Sequence, residues 1–160
     1  YQHNPYGDRW ERMHWGHLRS ADLVSWEHLP IALTPSLSLG EDHCFSGSAA
    51  VNGRGEVMLF YTSIGRRDPE QWSAKATDSS LTTWEKLASN PILTTKDHQG
   101  SVIDDWRDPF AFQWRGKSYL VVGGHPRGGK GAIMLYEAEG ESLAKWKYLG
   151  VAFEGTENNW

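Results

Sequence analysis

The chain has one cysteine, Cys44, so no internal disulfide can form, and a lone thiol says little about compartment. Long apolar runs are missing too, and nothing approaches the ~20 residues that cross a bilayer as a helix. The longest Lys/Arg cluster is Arg66-Arg67 and the net charge is −4, which argues against a nucleic-acid partner. No Asn-x-Ser/Thr acceptor occurs. No Gly-x-Ser-x-Gly elbow flanks any serine, so a serine hydrolase is not expected. An initiator Met is absent and the chain opens in what reads as mid-strand, Tyr1-Gln2-His3-Asn4-Pro5. The expectation is one domain over residues 1–160, incomplete at both ends. A signal peptide is not visible, which is uninformative in a chain opening this way. The compartment stays open, with a secreted or periplasmic one slightly favoured over the cytoplasm.

Aromatic residues are what the chain has in excess: nine Trp, six Tyr and five Phe, 12% of all residues. Trp joins a flat apolar face to one N–H donor, which suits sugar rings and hydroxyls as well as protein cores.

Three of those tryptophans belong to a repeated phrase. Leu23-x-x-Trp26-x-x-Leu29, Leu81-x-x-Trp84-x-x-Leu87 and Leu143-x-x-Trp146-x-x-Leu149 share one pattern, with tryptophans 58 and then 62 residues apart. A fixed period means one supersecondary unit stacked repeatedly, because such a unit cannot bury its apolar face alone. Within a unit the residues read as strands. Phe45 to Val51, Val57 to Thr62, Gln71 to Thr77 and Thr83 to Leu87 form one set, with Asn52-Gly53-Arg54-Gly55 as a hairpin turn. Ala111 to Trp114, Ser118 to Val122 and Ala132 to Tyr136 begin the next, with a Gly-rich loop over residues 123–131. The phrase itself is expected to carry the fourth strand, and its three tryptophans to plug the space between units. Four antiparallel strands per unit, repeated, define an all-β fold of β-propeller blades. Two complete blades and part of another fit in the chain.

In a propeller the innermost strand of each blade lines the central channel. Arg107-Asp108-Pro109, preceded by Asp104-Asp105-Trp106, stands at the entrance to one such strand. The arginine is expected to keep the aspartate ionised, and an ionised carboxylate can accept hydrogen bonds from sugar hydroxyls. The plainer alternative is a turn-capping Asp beside a surface Arg. Cys44-Phe45-Ser46-Gly47-Ser48 occupies the equivalent place 62 residues earlier, one period back. His14 and His17 do not read as a metal site, since strand residues three apart point to opposite faces. Gly123-Gly124 and Gly128-Gly129-Lys130 lack the Ser/Thr and helix of a phosphate loop.

Read together, six phrases resemble glycoside hydrolase family 32, the invertases, levanases, inulinases and related β-fructosidases. They are Tyr1 to Pro5, Met13 to His17, Ser20 to Leu33, Cys44 to Ala49, Leu59 to Thr62 and Trp106 to Phe110, in family order. The resemblance implies a five-bladed propeller, of which the chain covers part of blade one through blade three. It also implies a retaining double displacement at terminal β-D-fructofuranosyl linkages of sucrose or fructans, with no cofactor and no metal. The family's nucleophile, the Asp of Asn-Asp-Pro-Asn-Gly, lies just before the segment matching Tyr1-Gln2. Its acid/base, the Glu of Glu-Cys, would follow one residue after Trp160. Glu157 lacks that context and reads as a loop residue. The chain on its own is therefore expected to lack hydrolytic activity.

What carries over is the rest of the pocket. Asp108 matches the transition-state stabiliser, Arg107 its partner, and Gln2, Trp10, Phe45 and Ser46 the fructosyl-binding residues. His3 stands where a Tyr is common. Alternatives are a related five-bladed glycosidase such as an arabinan-cleaving enzyme, a fructosyltransferase, or a non-catalytic sugar-binding propeller.

Overall fold

The computed structural model describes residues 1–156, and the expectations for Glu157 and Trp160 fall outside them. Its strands form three antiparallel sheets, each in chain order. The first holds β1 (Gln2–His3), β2 (His14–Arg19) and β3 (Glu27–Leu33). The second holds β4 (Glu41–Val51), β5 (Val57–Gly65), β6 (Glu70–Ala76) and β7 (Trp84–Lys86). The third holds β8 (Ile103–Trp114), β9 (Lys117–Pro126), β10 (Ala132–Ala138) and β11 (Trp146–Glu154).

The sheets stack face to face through two cores, and β5 shows why its sequence reads as an unbroken apolar run. Successive side chains leave a strand on opposite faces. Leu59 and Tyr61 join Leu33, Cys44, Trp72 and Ala74 between the first and second sheets. Met58 and Phe60 join Trp106, Leu120, Met134 and Trp146 between the second and third. A strand covered on both faces has no polar side to show. The innermost strands β4 and β8 also touch directly, the Ala111 N–H donating to Ser48 Oγ at 2.9 Å.

The repeat is real, and the second half of its phrase opens the fourth strand as expected, while the first half is a turn. Leu23, Leu81 and Leu143 all adopt left-handed backbone, with φ of 61°, 57° and 55°. Each closes a turn from which the last strand of its sheet departs, at Glu27, Trp84 and Trp146. Aspartates hold the first two turns: Asp22 Oδ1 accepts the Val24 and Ser25 N–H groups, and Asp78 accepts those of Thr82 and Thr83. Those bonds hold the Asp22 carboxyl down at about 2, whereas Asp78 is lowered first by the Ser80 and Thr83 hydroxyls and then by the Thr82 and Thr83 N–H groups.

The tryptophans share a direction and differ in cover. Trp146 meets Phe60 of the preceding sheet edge-on at 5.8 Å, and Trp84 meets His17 of the sheet before it at 6.4 Å. Trp26 belongs to the first sheet, has no earlier sheet to face among the described residues, and is 51% exposed. The expectation of three plugs holds for Trp146, which is buried, and for the half-buried Trp84.

One loop is shorter than expected. Gly123 and Gly124 extend β9 to Pro126, and the turn begins only at Arg127. A Cβ on Gly124 would sit 2.4 Å from Met134 Cε and 2.7 Å from Ile103 Cγ2. That glycine serves close packing, not a loop.

Candidate active site

Both phrases singled out on the inner strands break their ladders at the residues that matter. Pairing of β4 with β5 shifts register between Cys44 and Gly47, which frees Phe45 and Ser46 from regular pairing. Pairing of β8 with β9 shifts between Asp104 and Arg107 and again between Arg107 and Phe110. Such bulges re-aim side chains. Gly47 is obligatory at the first one, because a Cβ there would lie 1.8 Å from the Phe60 carbonyl oxygen.

Four of the expected residues gather around β4. Gln2 Nε2 donates to the Cys44 carbonyl at 3.1 Å, which ties β1 to the start of the bulge. Trp15 Nε1 donates to the Phe45 carbonyl at 2.9 Å. The Phe45 ring meets Trp10 at 5.9 Å and His43 at 5.5 Å, both edge-on. His43 is fixed in turn, its Nδ1 accepting the Met13 N–H. Trp10 is 62% exposed and Ser46 is exposed beside Phe45, so an aromatic wall and a hydroxyl face solvent together. Cys44 lies under this wall, and burial pushes its thiol far up, which removes it as a nucleophile.

Arg107 and Asp108 occupy the next inner strand. Asp105 and Asp108 take left-handed backbone, φ 51° and 63°, a region aspartate tolerates better than most residues. Arg107 lies between their carboxylates, with Nη1 3.6 Å from Asp105 Oδ1 and Nε 3.7 Å from Asp108 Oδ2. Desolvation raises the Asp108 carboxyl above its ordinary value, and the Arg107 cation only partly opposes this. The expected balance is thus reversed: burial outweighs the arginine. The carboxylate remains half open to solvent.

Two strands of the second sheet join these clusters. Gly47 pairs with Tyr61, and the next residue, Thr62, accepts the Asp108 N–H at its Oγ1. Thr62, Gln71, Trp15 and His43 were not singled out from the sequence as site residues. Thr62 gave the one available signal, a hydroxyl ending an apolar run. His14 and His17 serve different neighbours, His14 facing the Arg12 carbonyl and His17 the Trp84 ring. Among the described residues, no group of three or more His, Cys, Asp or Glu converges as a metal centre requires.

Antiparallel sheets stacked in series, with bulged inner strands that carry polar residues, define blades of a β-propeller. Residues 1–159 match the glycosyl hydrolases family 32 N-terminal domain, and the chain belongs to that family. It is 34% identical over 154 residues to sucrose-6-phosphate hydrolase of Escherichia coli, covering 92% of this chain and 31% of that protein. A Bombyx mori β-fructofuranosidase structure matches 98% of this chain and 32% of its own, at 32% identity and a TM-score of 0.77. Fructan 1-exohydrolase IIa from Cichorium intybus, solved as a variant in complex with 1-kestose, gives a TM-score of 0.79 at 30% identity. That match covers 92% of this chain and 28% of the other. The chain thus spans about a third of the length of the relatives it matches.

Proposed function

We propose that this chain is the substrate-binding part of a β-fructofuranosidase, a retaining glycosidase acting on terminal β-D-fructofuranosyl linkages of sucrose or fructans. Within it, Asp108 is the fixed anion of the pocket. As the glycosidic bond breaks, the furanose becomes oxocarbenium-like, and an anion already in place is worth more there than in the ground state. Arg107 orients that carboxylate, while Gln2, Trp10, Phe45 and Ser46 receive the fructosyl ring. The observation that carries the reading is the pair of bulges on adjoining inner strands. They turn Asp108 and the Phe45 wall out of their ladders, and their anchors are consecutive residues of β5, Tyr61 and Thr62. The nucleophile and the acid/base of the displacement come from flanking segments of a longer parent protein, which completes a five-bladed propeller.

The test is to incubate the parent protein with sucrose, levan and arabinan and to follow the released monosaccharide. Fructose from sucrose or levan, with none of the arabinan cleaved, is the expected result. The 160-residue chain should release none. Sugar binding by the parent without any turnover would establish the non-catalytic reading instead.

A further inference from the structure

Asp108 holds a left-handed backbone, φ 63°, in a stretch where its own sheet cannot fix it. The ladder to β9 is interrupted on both sides of Arg107. The restraint comes from the neighbouring sheet. The Asp108 N–H donates to Thr62 Oγ1 at 2.9 Å, and the Thr62 hydroxyl donates onward to Gln71 Oε1 at 2.8 Å. Gln71 Nε2 then donates to the Trp106 carbonyl at 3.3 Å. The relay leaves β8 at the residue after Arg107 and returns at the residue before it.

Both relay residues are fully buried, with no exposed surface. Each acts at once as donor and acceptor, so the hydroxyl and the amide each have one compatible orientation. The far ends are pinned as well. Gln71 exchanges backbone hydrogen bonds with Ile92 and Leu93, and the Trp106 ring packs edge-on against buried His98 at 4.6 Å. With the Thr62 hydroxyl and the Gln71 amide both buried and hydrogen-bonded, the relay holds one geometry.

We infer that Thr62 and Gln71 are positioning residues for the Arg107–Asp108 pair: they clamp the backbone on either side of Arg107 and thereby set where the Asp108 carboxylate points. This rests on the reading of Asp108 as the pocket anion. A relay that only staples two sheets would affect stability and leave turnover per folded molecule unchanged.

The experiment uses the parent protein with sucrose, comparing Thr62→Val, Thr62→Ala and Thr62→Ser, with Asp108→Asn as a control. Rates are taken per folded molecule, and the Ala variant stands in if a methyl against the Asp108 amide prevents folding. Misplacing a catalytic group by about an ångström costs up to ~100-fold, so Val and Ala should lower kcat at least about tenfold, with KM within about threefold. Thr62→Ser, which keeps the hydroxyl, should restore kcat to within about threefold of the unmodified enzyme. Full kcat in the Val or Ala variant beside an inactive Asp108→Asn overturns the inference and leaves the proposed function standing. A Ser variant as impaired as Val overturns it too, because the hydrogen bond is then not the cause. Full turnover in Asp108→Asn overturns both.

Discussion

Lys86→Met should be among the most damaging substitutions at the joint between the first two sheets. Lys86 Nζ forms an ion pair with Glu41, whose side chain is completely buried, and donates to the Thr34 carbonyl at 2.6 Å and Ser36 Oγ at 3.0 Å. Glu41 also accepts the Ser36 N–H and faces the Cys44 thiol, so the pair fastens the segment after β3 to the first turn of β4. The ammonium lies 5.6 Å above both the Tyr61 and Trp72 rings. With methionine in place, the stem still packs, but a carboxylate is left buried without its cation. Breaking such a pair from one side costs about 3–5 kcal/mol, and the lower figure applies here because Lys86 retains some solvent contact. Against a total stability of about 5–15 kcal/mol, that is a large share. In urea unfolding the midpoint should fall by about 1 M or more with the slope unchanged. Replacing both partners, Glu41→Leu with Lys86→Met, should recover most of the loss, since no charge then remains buried. A single Lys86→Met within about 1 kcal/mol of the unmodified protein would refute this reasoning, because the pair would then contribute no more than an exposed one.

Gly47→Ala should lower stability by about 1–3 kcal/mol or more, as for other overpacked positions, because the new methyl cannot avoid the Phe60 carbonyl without parting β4 from β5. Thermal melting reads this directly, and an unchanged Tm would contradict it. Arg107→Gln should raise the Asp108 pKa further, since it removes the one influence that lowers it and leaves desolvation unopposed. A carboxyl-carbon NMR titration would show the shift. Because Asp108 is an anion only above its own pKa, the acidic limb of kcat/KM should move to higher pH in the same variant. A move to lower pH would reverse the assigned sign.

Blade structure was legible in the sequence because it depends on patterns the chain repeats: alternation, hairpin turns and a phrase recurring at one period. The second half of the phrase carries the last strand as expected, and only its leading leucine misled in local shape. Leu23, Leu81 and Leu143 carry apolar side chains suited to a strand, yet each sits in left-handed backbone inside a turn, a conformation no residue-type preference announces for leucine. Gly124 misled in the opposite sense, since a glycine demanded by Met134 and Ile103 looks the same as one in a loop. At the site, Asp108, Arg107 and the Phe45 phrase could be located because they recur one period apart. Their supports could not. Thr62 reaches the Asp108 amide across 46 residues, and Gln71 reaches the Trp106 carbonyl across 35. The balance at Asp108 was likewise tertiary: its arginine neighbour is visible in the sequence, whereas the surroundings that desolvate it are not.

Asp108→Asn in the intact parent enzyme addresses the pocket anion itself, since it keeps the side chain's shape and removes only its charge. Loss of one electrostatic stabiliser of a transition state typically costs about 10²–10³ in kcat, and that fall is expected with Tm and KM nearly unchanged. Turnover preserved together with a lowered Tm would mean that the aspartate caps a turn and takes no part in the chemistry.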